Sequence, residues 1–304
     1  MEPWIDAREI IGGASAKFDG ATDDTAALQN VIALTAEEFG DGCDVGGGKG
    51  GWLQCPKGKS VLSAPFVVPG HVKIKGGGDH ATVLYFASLP ANQDAIRFGD
   101  GSRAEFGGGL EDIQVFIGSM PRAGNSSAVR TSDLQHTGGF RRVKIFAQGS
   151  IGLWLDGGTG GASYIAVHDV EVFNHPYQSG NPGMIVDYDG SSIVDMQRCV
   201  IQAPVTPHAA NVPGILHAGS ILNAGSIHFE GFDFGIQVRN QGRNPRLNAD
   251  CITGNPQLYA VIVIDAAMQS GRVSLRQIIP CGAGRALWNL ANGQQHAEVL
   301  SYAY

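Results

Sequence analysis

Charge is scarce in this chain. Asp, Glu, Lys and Arg make up 16% of its 304 residues, against roughly 25% in an ordinary globular protein, which leaves little material for exposed helix. The charge that is present leans acidic, with 21 basic and 28 acidic side chains and a net charge of −7. A nucleic-acid partner is therefore not expected, because phosphate neutralisation needs a basic surface. No run of about eighteen apolar residues occurs, so no membrane span is expected. The opening Met1–Asp6 is not basic and leads into no apolar stretch of export-signal type. Five cysteines, Cys43, Cys55, Cys199, Cys251 and Cys281, are an odd number without a Cys-x-x-Cys spacing. They predict small buried side chains in place of a disulfide framework or zinc site. There is no His-Glu-x-x-His and no Gly-x-Ser-x-Gly, the histidines show no ligand-like spacing, and Gly46–Gly51 lacks the strand and helix of a phosphate-binding loop. No metal and no cofactor are expected.

Glycine is abundant instead, at 44 residues, about twice the usual share of roughly 7%. From residue 95 a pattern returns: a small residue, an aliphatic, a free position, an apolar residue and another free position. It runs through Ala95-Ile96-Arg97-Phe98-Gly99, Ala128-Val129-Arg130, Gly152-Leu153-Trp154-Leu155-Asp156, Gly183-Met184-Ile185-Val186-Asp187, Gly214-Ile215-Leu216-His217, Gly235-Ile236-Gln237, Ala260-Val261-Ile262 and Ala286-Leu287-Trp288. A second strand pattern is interleaved, around Ile113, Val143, Val170, Cys199, Ile227 and Val273. Self-similarity on this scale means stacked units that bury their apolar faces only against one another, and the period-two alternation makes the units strands. Glycine-rich turns and the absence of crossover helices predict an all-β, right-handed parallel β-helix of about 8–10 coils.

An open coil end needs a cover. Asp23-Asp24-Thr25 followed by a stripe of Leu28, Val31 and Ile32 predicts a capping helix over about 24–38. Residues 1–50 are thus expected to form an N-terminal segment with this helix, and 51–304 the β-helix. Phe18-Asp19-Gly20-Ala21-Thr22-Asp23-Asp24-Thr25-Ala26-Ala27-Leu28-Gln29 resembles the opening of the pectate-lyase-like superfamily, which phage tailspikes share with polysaccharide-degrading enzymes. Gly51-Trp52-Leu53-Gln54-Cys55-Pro56-Lys57-Gly58 and Val72-Lys73-Ile74-Lys75-Gly76-Gly77-Gly78 resemble its first coil. The resemblance covers about residues 5–86 and implies the fold far more than any chemistry. The Asn-Thr-Asp, Gly-His-Gly and Arg-Ile-Lys motifs of polygalacturonases are missing, as is a compact acidic cluster of the calcium-dependent lyase type.

Stacking turns equivalent positions into columns about 4.8 Å apart. With the aliphatic second position inward, Arg97, Arg130, Trp154, Ile185, Leu216 and Gln237 form one outward column, and Gly99, Ser132, Asp156, Asp187, Ala218 and Arg239 another. Trp154 offers a platform for a sugar ring, and Arg97, Arg130 and Arg239 offer hydrogen bonds to hydroxyls. Asp156, Asp187 and Asp189 are candidate carboxylates for glycoside hydrolysis, and equally ordinary turn formers. Glu230 and Asp233 are a second acidic pair. His217 falls inward, as a core histidine. Asp112, Arg142, Asp169 and Arg198 should stack as an alternating ion series.

What the resemblance implies is a tailspike-like or tail-associated protein that binds a bacterial surface polysaccharide and, in one reading, hydrolyses it. Its setting would be the virion, as a homotrimer in contact with other phage tail proteins. The alternatives are a non-catalytic structural appendage of the virion, and a bacterial polysaccharide lyase or hydrolase that is extracellular once an export signal has been removed.

Overall fold

The structure is a computed structural model. It describes residues 4–299 except 10, 12, 14, 40–50, 89, 102–104, 120–125, 133, 136–137, 158–163, 175–179, 189–191, 205–210, 240–243, 256–259, 267–270, 281–284 and 291–296. Two parallel sheets run along the molecule and enclose one core. Sheet 2 has nine strands, beginning at Phe66–Val68 and ending at Arg285–Asn289, each paired to the next in chain order within the sheet. Sheet 1 carries the longer strands, among them Gly109–Ile117, Gly138–Phe146, Tyr164–Phe173, Ile193–Gln202, Ile221–Glu230 and Arg246–Asn255.

The repeat pattern reads correctly as an inward column. Ile96, Val129, Leu153, Met184, Ile215 and Ile236 are register partners in succession and all fully buried. One rung departs from expectation: Ile262, not Val261, pairs with Ile236 and then with Leu287. Ala260 imitates the small first residue of the motif, and since Ala260, Val261 and Ile262 are all buried, hydrophobicity could not mark the one-residue slip.

Sheet 1 strands turn a corner in mid-course. Asp112, Arg142, Asp169, Arg198, Ser226 and Cys251 all have φ between 52° and 56°. This left-handed conformation places two successive side chains outward and then restores the inward alternation at Ile113, Val143, Val170, Cys199, Ile227 and Ile252, all buried. The expected ion series occupies this corner. Arg142 donates to Asp112 (Nη2 to Oδ2, 2.9 Å) and Arg198 to Asp169 (Nη2 to Oδ2, 2.9 Å). Beyond the corner, the rings of Tyr85, Phe116, Phe146 and Phe173 stack outward with centroids 5.5, 5.2 and 4.8 Å apart.

The helix spans Thr25–Phe39 and buries Leu28, Val31 and Ile32 over the first coil. The acidic residues at its start, Asp23 and Asp24, lie just before the first turn, not within it. Asp24 is buried and accepts from the Lys17 and Phe18 amides at 2.7 and 3.0 Å. Asp23 accepts from Thr25 N at 3.0 Å and from the Ser63 hydroxyl. The opening motif thus ties helix, preceding segment and first coil together. No described helix is long and apolar enough to cross a membrane.

Cys55 and Cys199 are buried free thiols, as expected, whereas Cys251 is only half-buried because it sits at the corner; Cys43 and Cys281 lie outside the described residues.

Candidate functional site

On the outer face of sheet 2 the expected columns form. Arg97, Arg130, Trp154, Ile185, Leu216 and Gln237 are successive register partners, and Ser132, Asp156 and Asp187 follow one another two positions on. The hydrogen bonds Arg239 N to His217 O and Asp265 N to Val238 O, each 2.9 Å, carry the second column onward. Within this stripe Arg130 is the hub. Its guanidinium carbon lies 3.9 Å from the centre of the Trp154 ring, its Nη2 is 2.6 Å from Asp156 Oδ2, and its Nη1 is 3.7 Å from Asp94 Oδ2. Arg97 donates to Ser132 Oγ and Asp100 O, both at 3.0 Å. Arg239 donates to Asp265 Oδ2 at 3.2 Å, which also accepts from Gln237 at 2.9 Å. Much of the stripe's polarity is therefore satisfied internally, and Arg130 covers part of the Trp154 face that a sugar would use.

The remaining candidates separate. Asp189 lies outside the described residues. Tyr188 beside it turns inward, is buried, and donates from its hydroxyl to Leu134 O at 3.0 Å. Glu230 and Asp233 do not form a pair at one surface. Asp233 is fully buried, and its Oδ2 accepts the Val212 amide at 2.9 Å, a backbone-anchoring role that removes it from contact with a substrate. Glu230 stands on sheet 1, where the aromatic ladder ends: Phe173 pairs with Gln202 and Gln202 with Glu230. There it accepts from Gln202 at 2.7 Å and faces His228 at 3.0 Å. His217 is fully buried against Arg246 O at 3.1 Å, and burial pushes its pKa down to about 4.

Sequence reasoning missed the outer face of sheet 1 ahead of the corner. One column there reads Trp52, Lys73, Gly109, Gly139, Ala166, Asp195, Asn223, Asn248 and Ser274, all successive register partners. The neighbouring column reads Lys75, Glu111, Arg141, His168, Gln197, Gly225 and Asp250. Between them run two hollows. One, of about 200 Å³, is floored by Gly109, Gly139 and Ala166; the other, of about 410 Å³, is lined by Asn223, Gly225, Asn248, Asp250 and Ser274.

Between the two hollows, with His168 lining one and Gln197 the other, stands a polar cluster. His168 Nε2 is 3.1 Å from Asp195 Oδ2, the Tyr164 hydroxyl donates to the same oxygen at 3.3 Å, and Gln197 donates to Asp195 Oδ1 at 3.1 Å. Burial by itself would raise the Asp195 pKa, but the hydrogen bonds from Gln197, His168 and Tyr164 outweigh it and hold the carboxyl below its usual range. Burial, with the Asp195 charge, raises Tyr164. An imidazole held by a carboxylate next to a phenol is a set of groups able to move protons on a bound ligand. The hydrogen bond to Asp112 raises Arg142 further above its already high pKa, and Lys144 is 2.9 Å from Glu171. Among the described residues no group of three or more His, Cys, Asp or Glu side chains is arranged to hold a metal.

No family model and no curated protein matches the chain. Among solved structures, DFA-IIIase from Arthrobacter chlorophenolicus A6 in complex with DFA-III is 12% identical, with 98% of this chain and 87% of that one covered and a TM-score of 0.50. Geobacillus virus E2 ORF18 is 14% identical at a TM-score of 0.47; 98% of this chain is covered, and it spans 59% of the virus protein's length. The Dettilon tailspike protein is 10% identical, with 90% and 68% covered and a TM-score of 0.39. At these identities the likeness concerns the fold alone, and that fold is the parallel β-helix which the opening motif leads one to expect.

Proposed function

We propose that the protein binds a bacterial surface polysaccharide along the outer face of sheet 1, as a tail-associated β-helix. The observation that carries this reading is the groove from Lys73 to Ser274, in which two hollows lie in line and nearly every rung contributes an amide, hydroxyl or charged group. Eight rungs at about 4.8 Å give a length of about 34 Å, enough for an extended oligosaccharide. Asn248 Nδ2 donates to Asn223 Oδ1 at 2.8 Å, and such a ladder of flat amides presents donors and acceptors in a repeat suited to sugar hydroxyls. The virion setting, the homotrimer and the contact with other tail proteins rest on the resemblance of residues 5–86 and belong to the same proposal.

The test is binding to a panel of capsular and lipopolysaccharide glycans. Asn223→Ala and Asn248→Ala should weaken capture of the bound glycan, while Trp154→Ala on sheet 2 should not. Loss with Trp154→Ala alone would move the site to sheet 2, and no capture of any glycan would refute the proposal.

A second reading is cleavage on sheet 2, with Asp156 and Asp187 as the carboxylates and Trp154, Arg97, Arg130 and Arg239 as the binding groups. The favouring observation is that Asp156 and Asp187 are direct register partners, which sets two carboxylates on adjacent rungs of one face. New reducing ends released from a bound glycan, and abolished by Asp187→Asn, would support it. Full cleavage by that variant would exclude it.

A further inference from the structure

Three successive rungs of the groove carry at most a methyl group on the outward side. Gly109, Gly139 and Ala166 stand in the column that holds Lys73 before them and Asp195 after them. The glycines have a backbone reason: a β-carbon at Gly109 would lie 1.8 Å from Gly139 O, and one at Gly139 would lie 2.4 Å from Ala166 O. The consequence is the 200 Å³ recess, whose rim carries Lys73, Glu111, Arg141 and His168.

The charges on this rim are unevenly committed. Glu111 accepts from Arg142 at 2.7 Å and lies 3.4 Å from Lys75. Asp195 is held by His168, Tyr164 and Gln197. Lys73 lies 5.0 Å from the centre of the Trp52 ring. Arg141 differs from all of these. Its side chain is exposed at the recess and makes no hydrogen bond or ion pair among the described residues, although Glu111 is its direct register partner and its charge is felt at Asp112 and Asp169. The carboxylate opposite it has been taken by the neighbouring Arg142 and by Lys75, which leaves a guanidinium fork at the mouth of a small hollow.

Building on the reading of the groove as a glycan site, we propose that this recess is a subsite for a sugar bearing a carboxylate, with Arg141 as its binding partner. A guanidinium matches a carboxylate through two parallel hydrogen bonds. The floor of two glycines and one alanine lets a sugar ring approach the sheet closely enough for that contact. A neutral sugar would displace water from Arg141 without replacing it by an anion. Lys73 adds attraction of the same sign from the far side of the floor.

The experiment uses the whole protein and oligosaccharides of glucuronic, mannuronic or galacturonic acid, each compared by calorimetry with its carboxyl-reduced counterpart. The expected result is tighter binding of at least one acidic oligosaccharide, by roughly tenfold or more, with Arg141→Gln abolishing the preference and Arg141→Lys restoring part of it. Asn248→Ala, in the other hollow, should weaken both forms and leave their ratio unchanged. Because the Arg141 side chain is exposed and makes no hydrogen bond or ion pair among the described residues, its variants should melt close to the parent protein. Equal binding of the acidic and reduced forms, or a preference that survives Arg141→Gln, overturns the acidic subsite while leaving the groove standing. Binding that is indifferent to the Asn223 and Asn248 variants overturns the groove, and the subsite with it.

Discussion

Arg142 and Asp112 occupy equivalent corner positions on adjacent rungs, both in the left-handed region, and their side chains meet in a two-point ion pair. The left-handed backbone costs a residue with a β-carbon about 1–2 kcal/mol, and the pair offsets that cost only partly, since the Arg142 side chain is 39% exposed and water weakens the attraction.

It follows that Arg142→Ala, which keeps the strain and loses the pair, should lower stability by about 1 kcal/mol. Arg142→Gly, which relieves the strain, should cost less or nothing. Denaturant melts of the two variants decide this, and a glycine variant weaker than the alanine one would show that the corner is not strained.

His217 makes stability depend on pH. Its pKa in the fold is pushed down to about 4 by burial, whereas the unfolded chain titrates near 6.5. The unfolded state therefore binds the proton first, so the contribution is intact above pH 6.5 and declines as the pH falls from there towards 4. The full loss is about 3 kcal/mol. Melting temperatures measured across that range should fall for the natural protein and stay flatter for His217→Gln; parallel curves would rule the histidine out as the cause.

Gly139 and Gly225 should respond to alanine to very different degrees. The new β-carbon at Gly139 meets the Ala166 carbonyl at 2.4 Å, while at Gly225 the atom at the same distance is the end of the Gln197 side chain. Backbone cannot move aside without breaking the ladder, but a glutamine amide can rotate. Gly139→Ala should cost about 2 kcal/mol or more and Gly225→Ala under about 1 kcal/mol, as read from chemical denaturation; similar losses would contradict this.

On sheet 2, Arg130→Ala removes both the stacking on Trp154 and the pair with Asp156, a loss of about 1–2 kcal/mol. Asp156→Asn keeps a hydrogen-bond acceptor and the stacked ring, so it should cost about half as much. Thermal unfolding with tryptophan emission follows both, and the arginine variant alone should shift the emission to longer wavelength.

Much of the architecture was legible because it depends on short-range regularities. The small-aliphatic repeat marked the buried column from Ile96 to Ile236, and Asp23-Asp24-Thr25 with Leu28, Val31 and Ile32 marked a helix over 24–38 where the structure has Thr25–Phe39. Trp154, Arg130 and Asp156 were grouped because they lie on strands that share the repeat. The groove was hidden for the opposite reason. Lys73, Gly109, Gly139, Ala166 and Asp195 follow no common residue pattern and become a column only once their strands are aligned. The one available signal was the glycine run at the start of two strands, Gly107-Gly108-Gly109-Leu110 and Gly138-Gly139-Phe140.

Alternation of apolar residues and the spacing of glycine turns sufficed to specify a parallel coil, its capping helix and most of its interior, since each depends on neighbours a few positions apart. Which acids are buried, which cations are paired, and where the surface hollows open were settled by contacts between rungs some 20–35 residues apart. Asp233 closing on the Val212 amide and Arg142 taking the carboxylate opposite Arg141 are such contacts. They depend on the direction a side chain takes at a corner or a turn, and residue type does not encode that direction.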